Sequence, residues 1–140
     1  LETLENNKDI SQYLSFELTE VDQIIDYDLV EDFIKKIKSY GCEVYIDDFG
    51  AGYSNYLKVV KLNVDYLKID GDIIRELSSN SGSVSLIKSI VTFSKDVGIK
   101  TVAEYVCNKQ IYEIVKGLGV DYSQGYYIGK PTSQLGKIRG

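Results

Sequence analysis

The sequence has 140 residues, of which 44% are hydrophobic and 26% are charged, a composition typical of one compact globular unit. Its net charge of −5 makes a nucleic-acid polymer or an anionic membrane surface a poor partner. No apolar run approaches the roughly 20 residues of a membrane span, and no signal-peptide pattern opens the chain. A small anionic ligand remains compatible with this charge if metal ions bridge it.

The chain begins with Leu1 and contains no methionine, so we expect it to be part of a longer protein. Its two cysteines, Cys42 and Cys107, stand among apolar residues. This context predicts reduced thiols that pack in the core, with no disulfide framework. Reduced thiols fit a cytoplasmic location.

The first half of the chain predicts three strands separated by helices. Residues 13–18 alternate between apolar and polar side chains, which is typical of a strand. The next apolar residues recur at helical spacing and end at Gly41, namely Val30, Phe33, Ile34 and Ile37. Residues 44–46 predict a second strand, residues 54–61 a short helix, and residues 64–69 a third strand.

The second half continues the same alternation. Ile74 and Leu77 predict a short helix, and residues 78–83 predict a loop. A longer helix follows and ends at Gly98, with a predicted apolar face of Leu86, Ile90, Phe93 and Val97. Residues 99–103 predict a fourth strand, Asn108 caps a further helix, and residues 120–123 predict a short fifth strand. Strands alternating with helices, without a hairpin signal, indicate an α/β domain with parallel strands and right-handed crossovers.

Polar side chains stand where each predicted strand ends. In chain order they are Glu17, then Asp47 and Asp48, then Lys68 and Asp70, then Glu104, and finally Gln124. Because the carboxyl ends of parallel strands share one edge of the sheet, we expect these residues to converge there. Several carboxylates at one edge repel each other unless a cation lies between them. The chain has no histidine, so hard oxygen ligands favour Mg²⁺ or Mn²⁺ over zinc.

Such a group of carboxylates suits phosphodiester hydrolysis. Two adjacent aspartates, with further acids from neighbouring strands, can hold two metal ions that activate water and stabilise the leaving oxygen. A lysine at the same edge can stabilise an anionic transition state. The alternative interpretation of Asp47 and Asp48 alone is a solvated turn or a helix N-cap.

Five segments resemble, in order and spacing, the EAL domain of bacterial cyclic-di-GMP phosphodiesterases. They are FELTE (16–20), IDDFGAGYSN (46–55), VDYLKID (64–70), TVAE (101–104) and QGYYIGKP (124–131). The resemblance implies a modified (β/α)₈ barrel with one antiparallel strand, and conversion of cyclic di-GMP to linear pGpG with Mg²⁺ or Mn²⁺. By motif order, residues 1–140 would be the C-terminal portion of a single EAL domain, from about the fourth strand. We therefore expect an incomplete TIM-type barrel of about five parallel βα units.

The resemblance also implies roles for the strand-end residues. Glu17, Asp47 and Asp48 are implied as metal ligands, with Asp47 bridging both ions. Lys68, Asp48 and Glu104 are implied as catalytic residues, and Lys68 would contact the reacting water or the second metal site.

Further motif residues are implied to act around this centre. Gln124 and Tyr126 belong to the closing motif, where Tyr126 either stacks on a guanine or simply packs. Glu20, Gly50 and Gly52 are implied to support the loop after the aspartates, since glycine tolerates positive φ. In the family this loop couples dimerisation to metal and substrate binding; the alternative is a plain strand-to-helix turn.

Two departures from the family pattern affect the prediction. The family's EGVE reads EYVC here, so Tyr105 and Cys107 replace a glycine and a glutamate. We expect the tyrosine to crowd the site and the lost acid to weaken metal binding. The family's EAL glutamate and a metal-binding asparagine precede the matched region, so the chain alone is expected to be a poor catalyst. Five strands cannot close an eight-stranded barrel, and exposed edges favour a homodimer.

Three functions remain open at this point. The first is a metal-dependent phosphodiesterase domain, with a sensory or regulatory domain expected upstream. The second is a degenerate domain that binds cyclic di-GMP or a protein without cleavage, and the third is an interaction scaffold. Arg75 meets a phosphate or lies on a solvated helix face.

Overall fold

Five parallel strands form one sheet, in the order in which they occur along the chain. The computed structural model describes residues 2–19, 26–51 and 56–132. The strands are Ser15–Leu18 (β1), Glu43–Phe49 (β2), Tyr66–Ile69 (β3), Lys100–Ala103 (β4) and Tyr122–Ser123 (β5). Sequential parallel order, with two edges that pair with no other strand among the described residues, is the arrangement of an incomplete (β/α) barrel, as the sequence predicted.

Helices connect the strands. They are Glu2–Glu5 (α1), Lys8–Ser11 (α2), Tyr27–Lys38 (α3), Tyr56–Leu62 (α4), Gly71–Arg75 (α5), Ser81–Val97 (α6) and Lys109–Gly117 (α7), with a 3₁₀ turn at Glu76–Ser78. The predicted cap is confirmed, because the Asn108 side chain accepts a hydrogen bond from the backbone N–H of Ile111. Gly98, at φ 77°, ends α6 in the left-handed conformation that glycine favours.

The apolar core lies between one face of the sheet and the helices. Val44, Ile46, Leu67 and Ile69 alternate along β2 and β3 and are at most 2% exposed. They belong to one cluster with helical residues that include Ile34, Ile37, Val59, Leu62, Ile87 and Ile90. Because successive strand residues point to opposite faces, the polar residues between them share the other face, which carries the functional side chains.

A repeated Val-Asp-Tyr segment fixes the amino ends of two strands. Asp65, just before β3, accepts a hydrogen bond from the Val44 N–H at 2.9 Å. Asp121, just before β5, accepts from the Thr101 N–H at 2.8 Å. Each aspartate thus satisfies a backbone donor of the preceding strand and ties the register of neighbouring strands.

Several predicted details are wrong. The first strand begins at Ser15, and α6 begins at Ser81 inside the predicted loop. Two residues of the predicted apolar face of α6, Leu86 and Val97, are 37% and 40% exposed. Cys42 is buried as expected, whereas Cys107 is exposed, and both thiols are free. Among the described residues, no helix combines the length and apolar character needed to cross a membrane.

Candidate metal centre

The adjacent aspartates occupy a β-bulge at the end of β2. Ile46 pairs with Leu67 and Phe49 pairs with Ile69, so two residues of β2 lie opposite the single residue Lys68 of β3. Asp48 has φ 50°, a left-handed conformation that aspartate tolerates better than most residues. Its backbone N–H donates to Asp47 Oδ1 at 3.1 Å. The bulge interrupts the normal alternation, which explains how two consecutive carboxylates reach one site.

Lys68 lies at the centre of the predicted strand-end residues. Its Nζ is 3.0 Å from Asp47 Oδ1, 3.0 Å from Glu104 Oε1 and 3.3 Å from Glu17 Oε2. The side chain is only 9% exposed, so its charge interacts with these carboxylates with little screening by solvent. Residues from β1, β2, β3 and the end of β4 therefore meet at one carboxyl edge, as the sequence predicted.

The pKa shifts follow from this arrangement. Burial would lower the pKa of Lys68, but hydrogen bonds to Asp47 and Glu104 outweigh it and raise that pKa above its ordinary value. Burial raises the pKa of Glu104, although Lys68 opposes the shift. Desolvation of the Asp48 carboxyl group, together with the Asp47 charge, raises the pKa of Asp48. The centre thus has more carboxylate charge than one lysine neutralises.

This donor set fits a divalent cation. Asp47, Asp48 and Glu104 each offer an oxygen, and these atoms all lie within 4.8 Å of one another. We call these three residues the carboxylate cluster. Oxygen-only donors suit Mg²⁺ or Mn²⁺, and a cation would offset the Asp47 charge that adds to desolvation in raising the pKa of Asp48. Glu17 is 51% exposed and joins the centre through Lys68, outside the cluster of three.

The other predicted residues lie around this centre, except for two that fall outside the described residues. Gln124 follows β5, and its backbone N–H donates to the Ala103 carbonyl at 2.8 Å. Gly50 follows the bulge at φ 102°, a backbone conformation that favours glycine. Glu20 and Gly52 lie outside the described residues. Asp70 caps α5 by accepting from two backbone N–H groups.

A cavity of about 560 Å³ adjoins the carboxylate cluster and shares Glu104 with it. Gln124 and Tyr126 line this cavity, and so do Arg75, Tyr105 and Cys107. Tyr105 has φ 53°, and its ring lies against Gly71 and under the Arg75 guanidinium, 4.2 Å from the ring centroid. The sequence pattern does not indicate that Arg75 and Tyr105 would meet, because Arg75 lies in α5 and the topology that brings strand ends together does not specify the contacts of a helical side chain.

Comparison with known proteins identifies the family. The family model of the EAL domain matches residues 1–131, so the chain belongs to the EAL domain family. The chain is 42% identical over 118 residues to the cyclic di-GMP phosphodiesterase PdeF of Escherichia coli K12. That match covers 84% of this chain and 16% of PdeF. The chain thus spans only a small part of the length of this relative.

Solved structures agree with this assignment. The chain matches PaMucR phosphodiesterase, solved as a c-di-GMP complex, with a TM-score of 0.83 and 30% identity over 94% of this chain and 53% of that one. It matches Klebsiella pneumoniae BlrP1 with a TM-score of 0.75 and 28% identity, covering 83% of this chain and 30% of that one. BlrP1 was solved with cyclic di-GMP and manganese and, separately, with cyclic di-GMP and calcium.

Proposed function

We propose that this chain is the C-terminal portion of one EAL domain, spanning residues 1–140, and that the complete domain hydrolyses cyclic di-GMP to linear pGpG. The observation that carries the proposal is the convergence of the carboxylate cluster and Lys68 at the carboxyl edge of the sheet. Relatives named cyclic di-GMP phosphodiesterases, at up to 42% identity, support the substrate class.

The residues of this centre would have different roles in the reaction. Asp47 and Asp48 would hold Mg²⁺ or Mn²⁺ together with Glu104 of the carboxylate cluster, and Glu17, which reaches the centre through Lys68, would be a further ligand. Asp48 and Glu104 would also orient the water that attacks phosphorus. Bound metal would polarise that water and the phosphodiester oxygens. Lys68, already cationic and largely buried, would stabilise the negative charge that develops as the new P–O bond forms and the ester P–O bond breaks.

The missing part of the barrel bears on activity. The chain covers 53% of the chain in the solved PaMucR phosphodiesterase structure and 60% of that in the EAL domain structure of Mycobacterium smegmatis DcpA. β1 and β5 have unpaired edges within the described sheet, where further strands would complete the barrel. We propose that the missing segment supplies the remaining metal ligands, that the fragment alone is a poor catalyst, and that the complete protein dimerises.

The decisive experiment uses the complete domain. Cyclic di-GMP is incubated with Mg²⁺ or Mn²⁺, and pGpG is quantified for the parent and for Asp47→Asn. Loss of this carboxylate should lower kcat/KM on the order of 100-fold or more, because a metal ligand is removed. Asp96→Asn, which changes an exposed aspartate on α6, is the matched control and should retain full turnover. Turnover that survives Asp47→Asn would contradict the proposal.

A second candidate is a cyclic di-GMP receptor that lacks hydrolysis. Tyr105 and Cys107 favour it, because they stand in the cavity beside Glu104 where the family pattern has glycine and glutamate. Tight binding of cyclic di-GMP without pGpG would support the receptor. If the protein does not bind cyclic di-GMP at all, the remaining function is that of an interaction scaffold.

A further inference from the structure

The cavity beside the carboxylate cluster has an unusual aromatic lining. Tyr105 and Tyr126 both line it, and they are 57% and 67% exposed. The Arg75 guanidinium lies 4.2 Å from the ring centroid of Tyr105. Lys130 Nζ lies 5.6 Å from the ring centroid of Tyr126. Two exposed tyrosine rings with a cation at each thus open onto one space of about 560 Å³, within the size range of ligand sites.

Tyr105 is fixed in place despite its exposure. Its ring rests on Gly71, where an added Cβ would collide with ring atoms Cδ2, Cε2 and Cγ. Gly71 and Arg75 both belong to α5, so one helix supplies both contacts to the ring. The contact with α5 leaves more than half of the Tyr105 surface exposed, and the side chain also lines the cavity.

The backbone of Tyr105 gives independent support for a binding role. Its φ of 53° is a conformation that bulky residues rarely adopt. Glycine would take this conformation without strain, so packing alone does not explain a tyrosine here. Strained residues of this kind concentrate at ligand sites, where the surrounding structure holds them.

We infer that Tyr105 is a binding residue that stacks on one purine base of the cyclic dinucleotide, with Arg75 holding the ring in position. This inference rests on the proposed function for the identity of the ligand. A phosphodiester at the carboxylate cluster would place a base linked to the same sugar-phosphate ring within reach of the adjoining cavity, because Glu104 borders both. A tyrosine face accepts any purine, so Tyr105 sets affinity and leaves the choice between guanine and adenine to other groups.

The test measures cyclic di-GMP binding to the complete protein by isothermal titration calorimetry with calcium as the divalent ion. Tyr105→Gly should weaken binding about 5- to 100-fold, the range for loss of one base–aromatic stack. Tyr105→Phe keeps the ring and should bind within about threefold of the parent. The glycine variant also relieves the positive φ, so its weaker binding cannot be attributed to a strained backbone.

Two further measurements make the result specific. Tyr13→Ala removes another exposed tyrosine, one that does not line the cavity, and should bind as the parent does. Where the parent binds cyclic di-AMP, Tyr105→Gly should weaken that binding by a similar factor. Unchanged or tighter cyclic di-GMP binding by Tyr105→Gly would overturn the inference and would indicate that Tyr105 obstructs the cavity.

Failure of the inference is distinguishable from failure of the proposed function. If the complete protein makes pGpG but Tyr105→Gly binds as tightly as the parent, only the stacking role is wrong. If the protein makes no pGpG but Tyr105→Gly weakens binding, hydrolysis is wrong and the stacking role stands. If the parent does not bind cyclic di-GMP at all, both are wrong.

Discussion

Lys68 Nζ and Glu104 Oε1 lie 3.0 Å apart, and these two residues are the only charged ones that are buried in the described part of the chain. A buried ion pair contributes little net stability, because desolvation offsets the attraction between the charges. The same arrangement is costly to break, since removing one partner leaves the other charge buried and unpaired. This asymmetry gives the centre a measurable signature in stability experiments.

Replacing Lys68 with methionine should destabilise the metal-free complete domain on the order of 3 kcal/mol, because Asp47 and Glu104 lose their cation. Mg²⁺ should restore more stability to Lys68→Met than to the parent, since the metal takes over the neutralising charge. Urea unfolding with and without Mg²⁺ measures both effects. Lys88→Met, at an exposed position of α6, should change stability by less than about 0.5 kcal/mol. Equal effects of the two substitutions would contradict this account of the centre.

Comparing the pH dependence of stability between Asp48→Asn and its parent, both without metal, should show the effect of the raised pKa of Asp48. Desolvation and the Asp47 charge place this pKa above its unfolded value, so ionised Asp48 destabilises the folded protein at neutral pH. The stability linked to its protonated form is fully present below the unfolded pKa and is lost as pH rises through the raised, folded pKa. The asparagine variant should therefore be the more stable at pH 7 in a chelator, and its advantage should fade toward about pH 4.

Saturating Mg²⁺ should reverse the order of stability between Asp48→Asn and its parent, because the ionised carboxylate then contributes a ligand. Thermal unfolding across the pH range, in chelator and in Mg²⁺, measures the crossover. A parent that is more stable than Asp48→Asn at pH 7 without metal would show that the electrostatic reasoning fails.

The strand order and the position of the centre could be predicted from the sequence for physical reasons. Apolar runs such as 64–69 indicate a buried strand. Parallel connections then place the carboxyl ends of all the strands at one edge of the sheet. Glu17 and Glu104 are 87 residues apart in sequence, yet both contact Lys68 because each follows the same topological rule. The meeting of residues that are distant in sequence could be predicted here because it depends only on the topology of the sheet.

Other features depend on local geometry that the sequence pattern does not encode. The bulge that brings Asp47 and Asp48 together depends on a left-handed Asp48, which the dipeptide permits but does not require. On α6 the predicted apolar face is right at Ile90 and wrong at Leu86, since the neighbouring Ile87 is the buried residue. With apolar residues at both positions, periodicity does not choose between them.

The contact between Gly71 and Tyr105 predicts a strong coupling between two positions 34 residues apart in sequence. Gly71→Ala should destabilise the complete domain by about 1 to 3 kcal/mol, because the new methyl group collides with the tyrosine ring. In a Tyr105→Gly background the same substitution should cost far less. Chemical denaturation of the four proteins of this double-mutant cycle gives the coupling energy, and additive effects would show that the ring does not occupy this space.

Gly50 makes the final prediction, because it links the bulge to the core. At φ 102°, Gly50→Ala introduces backbone strain, and its Cβ would also displace the terminal methyl Cδ1 of Ile73, which lies 2.6 Å from the Cβ position. We expect a loss of about 1 to 3 kcal/mol in unfolding free energy, with weaker Mg²⁺ binding as the Asp47–Asp48 bulge shifts. Gly117→Ala in α7 is the matched control, since its Cβ meets nothing within 4 Å and alanine favours a helix by about 0.5 to 1 kcal/mol. A Gly50→Ala variant as stable as Gly117→Ala would mean that the chain leaves β2 by a different path, and the carboxylate cluster would then lose its geometric basis.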